Sequence, residues 1–121
     1  MPVMNEKNIS HSLKEIEFAE SPIMSTYLLF FAIGKISSKE IKTKQGVLIR
    51  VWATDNKEIF SDFALETSVK LLDYFESYFG VKYPLPKLDH IAIPDFAAGA
   101  MENWGCISYR ENALLVDPNN S

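Results

Sequence analysis

The sequence predicts a mixed α+β fold, and three features support this fold class. Two stretches in the first half, residues 24–34 and 46–53, are rich in β-forming residues. From residue 55 the apolar residues recur at the spacing of a helix over about five turns. A further apolar stretch, residues 88–93, follows that helix and ends at Pro94.

Length and composition are those of one folded domain. The chain has 121 residues, of which 47% are hydrophobic, enough to build a core. Its formal net charge of -4 argues against nucleic-acid binding, which needs clustered Lys and Arg. The longest apolar run, residues 27–33, is far shorter than the roughly 20 residues of a membrane-spanning helix, so no membrane partner is expected. Because Cys106 is the only cysteine, no internal disulfide can form, and the cytoplasm is the expected location.

Residues 1–45 are predicted to hold two strands separated by turns. A weak alternation ending at Phe18 indicates one short strand before the turn at Ser21-Pro22. Residues 24–34 end at a glycine and predict a strand that is covered on both faces. The densest basic stretch, residues 35–44, also carries an acidic residue and several hydroxyl residues, so a solvated turn is expected there.

After Gly46 the side chains of residues 47–53 alternate between two faces, and this pattern predicts another strand. One face of this strand is apolar, and the other carries larger and polar side chains. We expect it to pair with the preceding strand. The apolar face consists of Val47, Ile49, Val51 and Ala53, and the opposite face of Leu48, Arg50 and Trp52.

The helix that follows is amphipathic, with an apolar stripe that extends to Phe79 and with charged residues largely outside it. The sequence allows two positions for the start of this helix. Asp55, with Glu58 three residues later, resembles a capping box, whereas Ser61 could cap a shorter helix. Gly80 supplies a left-handed end, and the prolines that follow cannot continue the helix.

Residues after the helix are predicted to add more strands. One is expected at residues 88–93, and one or two more within residues 105–110 and 113–116. The change from strand to helix period near residue 55 is a candidate domain boundary. Neither part alone looks large enough to be an independent domain.

Side chains that could carry catalysis are sparse. The two histidines, His11 and His90, lie about eighty residues apart and have no metal-ligand spacing. We expect His90 to be a structural histidine on a strand. Cys106 has no base near it in the sequence, so we expect a buried, inert thiol.

Residues 96–105 form the most distinctive stretch of the chain. Four small residues lead to Glu102, which lies between Met101 and Trp104. Small residues let another backbone or a ligand approach closely, and a carboxylate there can attract a cation. On local chemistry alone, a Gly/Ala-rich loop with a solvated Glu is the simpler explanation.

The segment Gly99-Ala100-Met101-Glu102-Asn103 resembles the signature of the M1 family of zinc aminopeptidases. The resemblance covers essentially the whole chain and is closest to the puromycin-sensitive and related cytosolic members. Further matching segments are Phe18 to Leu29, Tyr78 to Lys87, Trp104-Gly105, Tyr109-Arg110-Glu111 and Asp117-Pro118.

The resemblance implies a fold and two domains. Residues 1–55 would be the last strands of an N-terminal β-sandwich domain. Residues 56–121 would begin a thermolysin-like catalytic domain, in which the signature forms an edge strand of the active-site cleft.

The resemblance also implies roles for the signature residues. Glu102 would bind the free α-ammonium of a peptide's first residue, in a charge-assisted hydrogen bond that an internal peptide bond cannot form. Gly99 and Ala100 would align the substrate backbone as an added strand. Met101 would form the floor of the pocket for the first side chain. Asn103, grouped with these substrate-binding residues, is expected to hold the turn rather than to touch the peptide.

Zinc is the cofactor that the resemblance implies for the full-length enzyme. In the family, two histidines of a His-Glu-x-x-His helix and a later Glu hold the metal. We expect these residues to lie beyond Ser121, so the chain would bind no zinc, supply no catalytic residue and be inactive alone. Its first residues resemble a segment inside the β domain, so a fragment is expected.

Two functions are therefore predicted. The first is a fragment of a zinc-dependent aminopeptidase that removes N-terminal residues from peptides, carrying the recognition motif but not the zinc site. The alternative is a non-catalytic, truncated interaction module that binds peptide N-termini or a full-length aminopeptidase. The expected partners are peptides with a free N-terminus and the remainder of the enzyme. A third possibility is an incomplete gene model without independent biology.

Overall fold

The computed structural model describes residues 1–120 and shows a mixed α+β fold, as predicted. Strands predominate, and two short 3₁₀ turns and two α-helices connect them within these residues. In chain order the elements are β1 (Val3–Asn8), β2 (Lys14–Phe18), a 3₁₀ turn (Thr26–Leu28), β3 (Ser37–Lys42), β4 (Leu48–Ala53), a second 3₁₀ turn (Lys57–Phe60), α1 (Asp62–Phe79), β5 (Lys87–Ile93), β6 (Ala100–Met101), β7 (Cys106–Arg110) and α2 (Glu111–Leu114).

A five-stranded mixed sheet organises most of the chain, with the strand order β3-β4-β5-β7-β6. The three inner strands β4, β5 and β7 run parallel, and α1 provides the long crossover that a parallel β4–β5 pair requires. The edge strands β3 and β6 are antiparallel to their neighbours. The sheet contains strands from both sides of residue 55, and the domain boundary placed there stays a prediction.

The hydrophobic core lies between one face of this sheet and α1. The face of β4 that the sequence predicts to be apolar is buried, and Ile49, Val51 and Ala53 are each 0% exposed. Burying a Val or Ile side chain stabilises a fold by about 1.5–3 kcal/mol, so this face anchors the core. The other buried members are Val47, Ala64, Leu65, Leu88, Ala92 and Leu114.

The opposite face of the sheet borders a cavity of about 970 Å³. The irregular segment 28–32 and residues from the two ends of the β1–β2 hairpin line its far side. The sheet contributes Arg50, Trp52 and Asp89 among others. Charged side chains of the inner strands therefore lie on this side, away from the apolar core.

The strand predicted for residues 24–34 is wrong. These residues form a 3₁₀ turn and otherwise irregular backbone, and Phe31 and Ile33 are 77% and 92% exposed. The antiparallel partner of β4 is instead β3, which lies within residues 35–44. That stretch was predicted to be a solvated turn because it is polar. An edge strand bonds on one side only and tolerates exposed charges, so its polarity did not reveal it.

α1 begins at the later of the two positions that the sequence left open. Ser61 occupies the N-cap position, while Asp55 lies well before the helix with a φ of 55°. The hydroxyl of Ser61 donates to the carbonyl oxygen of Glu58 at 2.5 Å rather than to the helix. Gly80 ends the helix with a φ of 66°, the left-handed conformation that was predicted.

Only the first turns of α1 bury its apolar stripe. Ala64 and Leu65 are buried, whereas Phe75 and Phe79 are 46% and 66% exposed. The stripe thus continues beyond the part of the helix that the sheet covers. Along the exposed half, the rings of Tyr74, Phe75, Tyr78 and Phe79 pack on one another with centroids 4.9 to 5.9 Å apart.

The remaining strand predictions divide into confirmed and wrong ones. β2, β5 and β7 lie where short strands were predicted. β1 was not predicted, because every one of its residues is exposed and no buried face imposes an alternation. Residues 113–116 do not form a strand, since Ala113 and Leu114 belong to α2. Neither helix within residues 1–120 has the length and apolar character needed to cross a membrane.

Candidate functional site

The signature Gly99 to Asn103 lies at one edge of the five-stranded sheet. Its second and third residues form β6, with Ala100 opposite Tyr109 and Met101 opposite Ser108 on β7. No strand pairs with the outer side of β6 in the part of the chain that the structure describes. An open edge of this kind can accept an extended peptide as an additional strand.

The register of β6 determines which backbone groups point outward. The carbonyl oxygen of Gly99 accepts a hydrogen bond from the backbone N–H of Arg110 at 2.9 Å, which makes this a hydrogen-bonded pair. Because such pairs alternate with non-bonded ones in an antiparallel ladder, Ala100 directs its N–H and C=O away from β7. Ala100 therefore offers one donor and one acceptor to an incoming chain.

Glu102 follows β6 directly and is exposed. The five ion pairs found within residues 1–120 do not include it. Met101, before it, is half-buried. A carboxylate without a cationic partner among the described residues thus stands next to an open strand edge.

Asn103 has the opposite environment, being only 4% exposed. Its Oδ1 accepts a hydrogen bond from the hydroxyl of Ser108 at 2.9 Å, and its Nδ2 donates to the carbonyl of Leu28 at 3.3 Å. Its own carbonyl accepts from the N–H of Cys106 at 3.1 Å. The Asn103 side chain is therefore committed to contacts that hold the turn after β6.

Gly105 completes this turn and cannot easily be replaced. Its φ is +68°, and a Cβ added to it would lie 2.8 Å from Cδ1 of Leu85. The left-handed backbone therefore favours glycine, and a Cβ there would force the Leu85 side chain to shift.

A buried group of charged side chains contacts the turn after β6 through Lys87. The Asp89 carboxylate, in a residue that is 5% exposed, accepts hydrogen bonds from Arg50 at 2.6 and 2.9 Å and from Trp52 at 3.0 Å. Lys87 donates to Asp89 at 2.5 Å and to the carbonyl of Gly105 at 2.8 Å. Burial raises the pKa of Asp89, but the hydrogen bonds from Arg50 and Lys87 outweigh it and hold that pKa below its ordinary value.

Sequence reasoning missed this group of charges. Arg50 and Asp89 stand opposite each other in the parallel β4–β5 register. Lys87 and Asp89 are two residues apart on β5, a spacing that places both on one face of a strand. That spacing was the available signal, but the partner of Asp89 depends on a strand pairing that the sequence did not specify.

His90 is a structural histidine, as expected. It is 5% exposed, its Nε2 lies 3.0 Å from the hydroxyl of Ser68, and its Nδ1 lies 3.1 Å from the hydroxyl of Tyr109. Burial lowers its pKa to about 4, so the ring is neutral near pH 7. Cys106 is half-buried, and burial raises the pKa of its thiol.

Potential metal ligands do not converge in the described part of the chain. Within residues 1–120, no three His, Cys, Asp or Glu side chains come together as a metal site. Both ring nitrogens of His90 already face hydroxyl groups. These residues therefore give no set of ligands on which a zinc-dependent step could be argued.

Comparisons with known proteins identify the family. Residues 63–121 match the Peptidase family M1 domain. The chain is 50% identical over 121 residues to Aminopeptidase M1 of Arabidopsis thaliana, covering all of this chain and 14% of that protein. It is 51% identical over 105 residues to Puromycin-sensitive aminopeptidase of Caenorhabditis elegans, covering 87% of this chain and 11% of that protein. It is 46% identical over 121 residues to Endoplasmic reticulum aminopeptidase 2 of Bos taurus, covering all of this chain and 13% of that protein. The chain thus spans about one seventh or less of the length of these relatives, and it belongs to peptidase family M1.

Proposed function

We propose that this chain carries the segment with which a zinc-dependent aminopeptidase recognises peptide N-termini. The aminopeptidase names of its relatives support the reaction class, which is removal of N-terminal residues from peptides. One observation carries the assignment of the site. The exposed Glu102 carboxylate has no ion-pair partner within residues 1–120 and directly follows β6, whose outer edge is open.

Recognition begins with the peptide backbone in this proposal. An extended substrate adds to the edge of β6 and bonds the outward N–H and C=O of Ala100. Gly99, which has no side chain, leaves room for this approach; a Cβ built on it would have no other heavy atom within 4 Å. Met101 contributes to the pocket for the first side chain of the peptide.

Glu102 then selects peptides that end in a free amine. A carboxylate facing an α-ammonium makes a charge-assisted hydrogen bond worth about 1.5–3 kcal/mol. An acetylated terminus or an internal peptide nitrogen carries no positive charge and forms no such bond. Asn103 contributes indirectly, by fixing the turn through Ser108 and Leu28.

Hydrolysis belongs to the whole protein in this proposal. Zinc, the cofactor of the family, would polarise the scissile carbonyl and activate water there. No step is assigned to zinc on the residues of this chain, whose own contribution is binding. Residues 1–55 and 56–121 remain proposed parts of a β-sandwich domain and a thermolysin-like domain. The cytoplasm remains the proposed compartment; the relatives also include endoplasmic reticulum aminopeptidases of cattle and mouse by name.

An NMR titration tests the proposed site. We expect a tripeptide with a free N-terminus to shift the amide signals of Ala100, Met101 and Glu102, and its N-acetylated form to shift them far less. Glu102→Gln should remove this difference. Glu40→Gln, which neutralises an exposed carboxylate on the opposite edge strand, should leave it unchanged. Equal shifts for both peptides, or shifts confined to other elements, would contradict the proposal.

The exposed half of α1 favours a second candidate function, an interaction module. Four packed aromatic side chains there are 46% to 69% exposed, a larger apolar surface than isolated surface residues provide. The proposed partner is a full-length M1 aminopeptidase. Sedimentation of the chain with a full-length M1 aminopeptidase should show a complex that Phe75→Ser with Phe79→Ser weakens. Independent sedimentation of the two proteins would contradict this candidate.

A further inference from the structure

The loop that leads into β6 has little to hold it in place. Residues 94–99 connect β5 to β6, and Ala97, Ala98 and Gly99 are exposed. Methyl groups and hydrogens provide almost no packing area, and Asp95 adopts a left-handed φ of 55°. The side chains of Ala97, Ala98 and Gly99 therefore contribute little to holding the last part of the loop.

Arg110 supplies the missing contacts. Its Nε donates to the carbonyl of Phe96 at 3.1 Å, and its Nη2 donates to the carbonyl of Ala97 at 2.6 Å. Its backbone N–H bonds the carbonyl of Gly99, as described above. The planar guanidinium presents several N–H groups in a fixed fork, so one side chain can bind two carbonyls at once.

Arg110 is itself well anchored. It is the last residue of β7 and lies opposite Ile93 of β5. The next residue, Glu111, begins α2 and accepts hydrogen bonds from Lys57 at 2.9 and 3.0 Å. The guanidinium therefore links the loop to a fixed point of the sheet.

We propose that Arg110 is a positioning residue for peptide recognition. By holding the carbonyls of Phe96 and Ala97, it fixes the path by which the chain enters β6, and with it the place of Glu102 beside the open edge. This inference rests on the proposed function. Arg110 touches neither the peptide amine nor the reacting bond, and it acts only through the backbone of the loop.

Replacing the side chain should loosen the loop and spare the fold. The bond from the backbone N–H of residue 110 to Gly99 does not depend on the side chain, and Arg110 is exposed. Without the two side-chain bonds, residues 96–98 would sample several paths. The peptide would then have to order this segment when it binds, which lowers affinity.

The test compares variants of the 121-residue chain by backbone order parameters, by hydrogen exchange and by peptide affinity. Arg110→Gln removes the fork. Arg110→Lys keeps the charge without the fork, and Lys44→Gln removes a positive charge from an exposed turn as a matched control. Backbone ¹⁵N order parameters are measured by NMR for residues 96–102, and amide exchange is measured for β4. The Kd is measured for a free-amine tripeptide.

We expect both Arg110 variants to lower the order parameters of residues 96–102, to leave β4 protected from exchange and to weaken the Kd roughly tenfold. Lys44→Gln should resemble the original chain. Order parameters and a Kd that Arg110→Lys leaves unchanged, or order parameters of residues 96–102 that neither variant changes, would overturn the inference.

The two proposals fail in different ways. If the original chain binds through Glu102 and Arg110→Gln binds equally well, the positioning role is overturned and the proposed function stands. If the original chain shows no binding that depends on Glu102, the proposed function fails. The order parameters of residues 96–102 then decide alone whether Arg110 holds the loop.

Discussion

Glu102 and Asn103 are neighbours in sequence with opposite environments. Asn103 is buried and uses both ends of its amide within the protein, whereas Glu102 is exposed beside a strand edge. The sequence alone placed both in one motif. Asn103 was expected from the sequence to hold the turn, and its contacts with Ser108 and Leu28 show what it bonds there. At the scale of single residues, the structure therefore distinguishes a side chain that builds the turn from one that is available to a ligand.

Gly105→Ala should destabilise the chain more than Gly46→Ala. Both glycines have a positive φ, of +68° and +91°, so alanine is strained at either position. Only at Gly105 would the new Cβ meet a neighbour, Cδ1 of Leu85, at 2.8 Å. We expect a loss of about 1 kcal/mol at Gly46 and of about 2–3 kcal/mol at Gly105. Equal losses in urea unfolding would show that the close contact at Gly105 has no energetic consequence.

His90 should make the stability of the chain depend on pH between 6.5 and 4. Burial lowers its pKa in the folded state from 6.5 to about 4. As the pH falls below 6.5, the unfolded chain takes up a proton that the folded chain excludes, so the free energy of unfolding decreases until about pH 4. The loss should be on the order of 3 kcal/mol.

Chemical denaturation at several pH values measures this loss. His90→Gln, which keeps hydrogen-bonding atoms near Ser68 and Tyr109, should flatten the profile between pH 6.5 and 4. An unchanged profile in the variant would assign the pH dependence to other groups.

At the scale of elements, the sequence predicts helices and strands best where a buried face makes apolar residues recur at regular intervals. β4 was predicted correctly because Ile49, Val51 and Ala53 face the core and the intervening residues do not. α1 was predicted for the same reason, and its end at Gly80 follows from backbone geometry. The strand predicted at 24–34 failed because apolar composition without alternation does not show what covers a segment. Edge strands β1 and β3 were missed because exposed strands need no apolar face.

The candidate site also combines features that the sequence predicts with features that it does not. The signature could be located from its residues, and its place at the sheet edge agrees with the structure. The contacts that shape it come from Arg110, Lys87 and Leu28, which belong to three other parts of the chain. Strand register and loop path bring these groups together, and neither is visible as a local pattern.

Asp89→Asn should destabilise the sheet strongly. The substitution keeps the shape of the side chain but removes the negative charge that faces Arg50 and Lys87, leaving two cations together in a buried place. Breaking a buried ion pair in this way costs about 3–5 kcal/mol. Thermal unfolding of Asp89→Asn measures this loss of stability. Glu40→Gln, on the exposed edge strand β3, should change the stability by less than about 0.5 kcal/mol. A similarly small effect for Asp89→Asn would contradict the importance of the buried charges.

At the scale of the described molecule, one sheet connects the site to the rest of the fold. β3 and β4 precede α1, and β5, β6 and β7 follow it, yet all five strands share one hydrogen-bonded order. The open outer side of β6 and the exposed half of α1 are two of the surfaces that this arrangement leaves available. We propose that the first takes an extended peptide and the second an apolar partner.

We propose that Glu102 binds the free amine of a peptide. The most direct measurement is a cycle of four dissociation constants, for the original chain and Glu102→Gln, each with a free-amine tripeptide and with its N-acetylated form. Because the charge-assisted bond exists in only one of the four complexes, we expect a coupling free energy of about 1.5–3 kcal/mol between carboxylate and amine. A coupling indistinguishable from zero, with the free-amine peptide still bound, would contradict it.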